Sequence, residues 1–403
     1  MTSSAHVTGH EDLANNLPLA QSGRSSPLPI YLLFLAVFAY FTLVLIATTQ
    51  AVVLALIVAG AGAVWLSRRF RWSSRIGRSF ADHEPLAATL SVVGVLALSA
   101  LFHDNSFVLL LLSTILLNMT ACFGLNIQFG YVGMLNFAGA AMFGIGAYTA
   151  ALIGQIDSVP GVALLPLGGA AAALIGLVLL PPMLRTKGHY SAVITVAFAL
   201  LFTSFLDSFA AVGGSQGLPV RTMTLFGWSF GDSIQVGPFK FAFYMNFLLL
   251  ALVLAVGVGL LARRVERSWI GLRLDAVRID ETASSCFGID IAAAKIFAFT
   301  AGNFILGMIG AVYALMLGYI APSNFTFGDS LILITVILLG GIGSLWGIVV
   351  TTAIVQILPE RLQAIQEYRL LIYSILVLVV LRFMPHGLLP RAVRVYFAGR
   401  RLR

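Results

Sequence analysis

The chain has 403 residues, 59% of them hydrophobic and 10% charged, and a formal net charge of +8. Soluble proteins are about 25% charged, so a water-soluble globular fold is excluded, and the absence of a regular ten-residue alternation argues against an outer-membrane barrel. None of the lysines Lys187, Lys240 and Lys295 precedes Ser or Thr, which excludes a Walker A nucleotide loop.

Three runs carry no Asp, Glu, Lys or Arg: between Asp104 and Asp157, from Phe297 to Gly328, and from Ser330 to Pro359. A charge at the bilayer centre costs about 2.5–3.5 kcal/mol on the insertion scale, and such runs are what a membrane selects. The expected fold is all-α, a polytopic transmembrane bundle of about ten spans by the length each needs. The basic residues sit in short loops between apolar segments, where they fix orientation. They leave no nucleic-acid footprint; lipid is the expected surrounding. Cys122 and Cys286 fall at different membrane levels, so no disulfide between them is expected, nor is any metal or cofactor.

Taken in order, residues 1–29 are a polar, disordered tail. Residues 30–85 form an extra hydrophobic segment and a basic loop. The segment Ile30–Leu66 is divided by Thr48-Thr49-Gln50 into two spans, or else is one long tilted helix. Arg68, Arg69, Arg71, Arg75 and Arg78 then mark a cytoplasmic loop. Further spans are expected at Leu86–Phe102, Phe107–Phe129, Tyr131–Ile153, Val162–Leu180, Tyr190–Leu206, Phe241–Leu261, Ile296–Leu317 and Leu370–Leu381. Residues 211–240 form a small external segment, and 263–295 the most charged cytoplasmic loop. The basic tail 391–403 places the C-terminus in the cytoplasm. If Ile296–Leu317 runs outward and Leu370–Leu381 inward, Ser330–Pro359 begins and ends outside. About 30 helical residues measure ~45 Å, too long for a ~30 Å core. With Gly340-Gly341-Ile342-Gly343 in the middle of this stretch, a broken element is expected, either two short helices or a re-entrant hairpin.

Three blocks carry candidate chemistry. Asn118, Asn126, Gln128 and Asn136 are amides in an uncharged region rich in glycine, including Gly144 and Gly146. They read either as interhelical glue or as neutral hydrogen-bonding groups lining a solute pathway. Gly340, Gly341 and Gly343 read as a close-packed kink or, at the central depth their place in the segment suggests, as a gate. In the charged loop, Asp280 to Cys286 makes a short helix with acids early, stopping at Gly288. Arg278, Asp280, Glu281 and Gly288 are the candidate residues for coupling to a motor subunit.

At these blocks the sequence resembles the M-type (LivM-like) permease subunits of bacterial branched-chain amino-acid ABC importers. The resemblance runs over roughly residues 86–390. It is carried by Gly124-Leu125-Asn126, Gly130-Tyr131-Val132-Gly133, Gly213-Gly214-Ser215-Gln216-Gly217-Leu218, Ala276 to Glu281 with Gly288-Ile289, Leu339 to Ser344, and Pro385-His386-Gly387-Leu388-Leu389. It implies a non-enzymatic subunit of the bacterial inner membrane. The implied partners are a homologous second permease, two cytoplasmic ATPases and an external binding protein. Residues 275–290 would be the coupling helix, with Glu281-Thr282-Ala283 in place of Glu-Ala-Ala. Ala138-Gly139 lacks the polar side chain that relatives often carry. Importers of urea and short amides use similar permeases, so these solutes remain alternatives to branched-chain amino acids. A third reading is a secondary transporter acting alone, for which Asp207 is the nearest intramembrane acid.

Overall fold

The computed structural model describes residues 28–46, 52, 55, 84–156, 159–186, 190–225, 228–236 and 239–361. Isolated positions at 368, 371, 374, 378, 382, 387–389 and 391 are also described. The polar tail to residue 27, most of 47–83, most of the expected span Leu370–Leu381 and nearly all of 391–403 lie outside the described residues.

The chain forms two compact units, Met1–Ile46 with Ala55–Gly94, and Ala47–Leu54 with Val95–Arg403. In the first, α1 (Leu28–Ile46) is apolar from end to end, and Thr42 satisfies its hydroxyl by donating to Phe38 O at 2.8 Å. Helix α2 (Glu84–Leu101) begins in this unit and ends in the second.

The second unit is a helical bundle. Its helices are α3 (Ser106–Asn126), α4 (Gly139–Ile153), α5 (Leu164–Arg185), α6 (Tyr190–Ser208) and α7 (Tyr244–Glu266). Two short helices follow, α8 (Trp269–Ile279) and α9 (Glu281–Cys286), then α10 (Ile291–Leu317), α11 (Phe327–Gly340) and α12 (Leu345–Arg361). Among the described residues, six helical stretches are long and apolar enough to cross a membrane: Ser106–Tyr131, Gly161–Arg185, Tyr190–Ser208, Tyr244–Glu266, Ile291–Leu317 and Pro322–Gly340. Shorter apolar helices occupy Phe34–Ile46, Pro85–Leu101, Gly139–Ile153 and Leu345–Ile357. The chain is a multi-pass membrane protein.

Helix α10 is the hub, packed on α3, α4 and α5. Lipid offers no hydrophobic force between helices, so close contact of small residues must do that work. At Gly146 a side chain would collide with the Gly307 carbonyl, and at Gly310 with the Phe143 carbonyl. The backbones of α4 and α10 touch at these points.

The two ends of the bundle differ. At one end, Ala242 N donates to His103 O, joining the start of α7 to the turn before α3. There the strands β1 (Leu218–Pro219) and β6 (Tyr319–Ile320) pair antiparallel. Two hairpin ribbons lie in the same connection, β2 (Thr224–Leu225) with β3 (Trp228–Ser229) and β4 (Ile234–Val236) with β5 (Phe239–Phe241). The other end carries α8 and α9.

Three expectations need correction. The span expected at Tyr131–Ile153 begins only at Gly139, because 132–138 is irregular backbone fixed inside the bundle. The span expected at Val162–Leu180 continues through Pro181-Pro182 to Arg185. Ser330–Pro359 is broken as expected, into α11 and α12, but Gly340 packs on Gly347 and Gly343 lies beside Arg278 and Arg391. The break therefore sits at the charged end of the bundle and not at mid-depth. From sequence alone, a central position in the segment had suggested a central depth.

Replacing Gly146 with Val is expected to lower the detergent melting midpoint, by the ~1–3 kcal/mol typical of overpacking. Gly257→Ala, with nothing within 4 Å of the added Cβ, should leave it unchanged or raise it. Equal effects of the two would contradict the α4–α10 contact.

Candidate functional site

Two interruptions of helical backbone meet at the charged end. The first follows α3. The helix loosens into a π turn, Ile127–Tyr131, and then an irregular stretch runs to α4, with Gly133 at φ +80°. The second is the break between α11 and α12, where Gly341 and Gly343 hold φ of +108° and +86°. L-residues with side chains rarely adopt such values.

Non-helical backbone within a membrane must find its partners inside the protein. Here side chains supply them. Asn136 Oδ1 accepts from Ala138 N at 2.9 Å, Thr195 Oγ1 from Phe137 N at 3.0 Å, and Ser330 Oγ from Ala140 N at 2.9 Å. Those bonds close the entry to α4, where orphan N–H groups would otherwise face an apolar core. Asn136 is held in turn: its Nδ2 donates to Gln128 Oε1 at 2.7 Å and Asn303 Oδ1 at 3.3 Å. Gln128 Nε2 donates to Asn303 Oδ1 at 2.9 Å and Phe299 O at 3.2 Å. Gln128 and Asn303 are fully buried. The cluster joins the π turn, the irregular stretch and α10.

Asn126 links the two interruptions. Its Oδ1 accepts from Gly343 N at 3.0 Å across 217 residues of sequence, and a side chain at Gly130 would strike both Asn126 and Gly343. The carbonyls released at the end of α11 are taken by a distant segment. Leu388 N donates to Leu339 O at 2.8 Å and Leu389 N to Gly340 O at 3.1 Å. Asn118 stands apart on α3, half-buried, with no side-chain hydrogen bond among the described residues.

The charged loop is tied to this core. Ser268 caps α8 by accepting from Ile270 N and Gly271 N. Asp280 caps α9, accepting from Thr282 N at 2.8 Å and Ala283 N at 3.0 Å, and Gly288 ends the turn at φ +76°. Such a cap is worth about 1 kcal/mol. Glu281 pairs with Lys295 of α10 at 2.8 Å. Arg278 Nη1 donates to Gly130 O at 2.6 Å, and its Cγ packs where a Gly133 side chain would stand. Arg278 therefore fills one of the backbone acceptors freed by the π turn. Burial and then the nearby Arg391 charge push its pKa below the usual value, and Asp275 opposes both.

Residues 106–381 match the family described as branched-chain amino acid transport system permease components. The chain belongs to that family. It is 29% identical over 283 residues to the high-affinity branched-chain amino acid transport system permease proteins LivM of Salmonella typhimurium and Escherichia coli. Each match covers 66% of this chain and 66% of the relative, so the chain spans just under two thirds of the length of those relatives. A probable LivM of Methanocaldococcus jannaschii is 26% identical over 318 residues, covering 66% of this chain and 88% of its own. No solved structure matches.

In this permease component, sequence reasoning marked Asn126, Gln128, Asn136, Gly341, Gly343, Arg278, Asp280, Glu281 and Gly288 without placing them together. The structure gathers the amides and glycines at one point, with Arg278 against them and Asp280 and Glu281 on the adjoining α9. Gly340 is the last helical residue of α11. Sequence reasoning missed Asn303, Thr195, Ser330 and Arg391. Asn303 was findable, being an amide in the charge-free run Phe297–Gly328, the argument that had selected the others. Thr195 and Ser330 sit in helices without any local signal.

Gln128→Leu should strand buried amide groups and lower the melting midpoint, at about 1–3 kcal/mol for each unsatisfied group. Asn118→Leu, which removes no such bond, should change it little. Equal losses would contradict the amide cluster.

Proposed function

We propose that this chain is the M-type permease of an ATP-driven importer in the bacterial inner membrane, forming half of a pathway for branched-chain amino acids. The carrying observation is the surface around α9. Ile279, the last residue of α8, and Phe287, the first beyond α9, are 81% and 85% exposed on a segment otherwise rich in charge. Two apolar side chains exposed beside a charged, capped helix support reading this surface as the one a partner covers. A short, capped helix anchored by Arg278 and by the Glu281–Lys295 pair is a lever that a cytoplasmic ATPase can push. On this reading α8, α9 and the C-terminus lie in the cytoplasm. The ribbons around 213–241 face outside and receive solute from a binding protein. A homologous second permease completes the pathway. ATP is hydrolysed on two separate subunits; this chain makes and breaks no covalent bond.

Asn126, Gln128, Asn136, Gly340, Gly341 and Gly343 shape the pathway by fixing the backbone that borders it, and Asn118 offers a free amide beside it. Motion of α9 reaches them through Arg278, which touches Gly130. The names of the relatives favour branched-chain amino acids over urea or short amides as cargo.

Uptake of labelled leucine, urea and acetamide is measured in a strain lacking the chain and complemented with wild type or Phe287→Ser. Wild type should restore leucine uptake alone. Phe287→Ser should reach the membrane, lose the co-purifying ATPases and restore nothing. Restored urea or acetamide uptake would replace the cargo, and full uptake with Phe287→Ser would remove the docking role.

A further inference from the structure

Arg391 stands at the start of what the sequence presents as a plain basic tail, yet its side chain is only 13% exposed. Its Nη1 and Nη2 donate to Asp275 Oδ1 and Oδ2 at 2.7 and 3.0 Å, and its Nε donates to Glu266 Oε1 at 2.9 Å. The guanidinium carbon lies 4.8 Å from the centroid of the Tyr131 ring. Its Cδ occupies the space a Gly343 side chain would need. One residue therefore grips the end of α7, the middle of α8, the π turn and the α11–α12 break.

The residues before it are bound to the same break. Leu388 and Leu389 donate to Leu339 O and Gly340 O, and Gly387 fits against Gly341 so closely that a side chain there would collide. Burial alone would lower the Arg391 pKa, but the hydrogen bonds and charges of Asp275 and Glu266 outweigh it and hold it above its ordinary value. A planar fork on a carboxylate is directional as well as strong. A shift of α8 that carries Asp275 must either tear this fork or drag Arg391, and with Arg391 the residues Leu388 and Leu389 that cap α11.

We propose that Gly387, Leu388 and Leu389 with Arg391 act as a strap and that Arg391 is a positioning residue, transmitting displacement of α8 and α9 to the glycine break between α11 and α12. Arg278, which comes against the same face of Gly343, bonds Gly130 O and so guides the π turn and not the strap. The proposal rests on the reading of the chain as an ATP-driven permease.

The assembled transporter, with its ATPases, second permease and binding protein, is placed in vesicles, and solute moved per ATP hydrolysed is read for each variant. Melting midpoint and subunit yield are read alongside. If wild type shows no ATP-dependent uptake, the reading of function fails, whatever Arg391 does. Given a working wild type, Arg391→Gln should assemble and hydrolyse ATP within about twofold of normal while moving about tenfold less solute per ATP, inside the ~5–150-fold span of coupling between sites. Arg391→Lys, which keeps the charge and loses the fork, should fall between. Exchanging the charges, Asp275→Arg with Arg391→Asp, should recover part of the ratio lost in either single variant. A wild-type ratio in Arg391→Gln overturns the strap. So does a parallel fall of hydrolysis and uptake, which marks a merely structural role. Should Arg391→Gln fail to assemble, a wild-type ratio in Arg391→Lys overturns it equally.

Discussion

In a bilayer every backbone N–H and C=O must be satisfied by the protein, and this requirement governs the most unusual part of the structure. Helices meet it automatically. The stretch 127–138 and the turn 341–344 do not, and the amides Asn126, Gln128, Asn136 and Asn303 are placed there. Asn126 serves Gly343, Asn136 serves Ala138, and Gln128 with Asn303 holds Asn136 in place. These side chains do what helical geometry does elsewhere. Their position also follows, since two interruptions sealed by shared partners must lie side by side.

That adjacency brings the charged loop into the same structure. Arg278 seals Gly130 from the α8 side, and Arg391 packs over Tyr131 and Gly343. Both arginines are partly desolvated and of like sign, and Asp275 counters both. Breaking a buried pair by removing one partner typically costs about 3–5 kcal/mol, because the other charge is left uncompensated. The α8 segment is thus joined to the bundle at points where the helices are interrupted, and interrupted helices are the parts of a membrane bundle most able to change shape.

Composition and charge-free runs made the architecture legible. The spans Leu86–Phe102, Phe107–Phe129 and Tyr190–Leu206 lie close to α2, α3 and α6 because hydropathy alone decides them. The short helix α9 was legible for a different reason: Asp280 and Gly288 are local signals with local causes, a cap and a left-handed stop. The start of α4 was not legible, because 132–138 is nearly as apolar as a helix and Thr195 and Ser330, distant in sequence, join Asn136 in holding it open. The site was legible as separate pieces. Each amide and glycine block declared itself as out of place in lipid, but no local pattern could pair Asn126 with Gly343 or bring Arg391 back from the tail to Asp275.

On the proposed reading, the chain is half of a conduit whose motion is supplied from outside through α8 and α9. The most direct measurement is solute accumulation in sealed vesicles containing both permeases and the binding protein, with and without the ATPase subunits and ATP. The account predicts accumulation above the external concentration only when the ATPases and ATP are both present. Accumulation driven by this chain without them, on an ion gradient or on nothing, would contradict it.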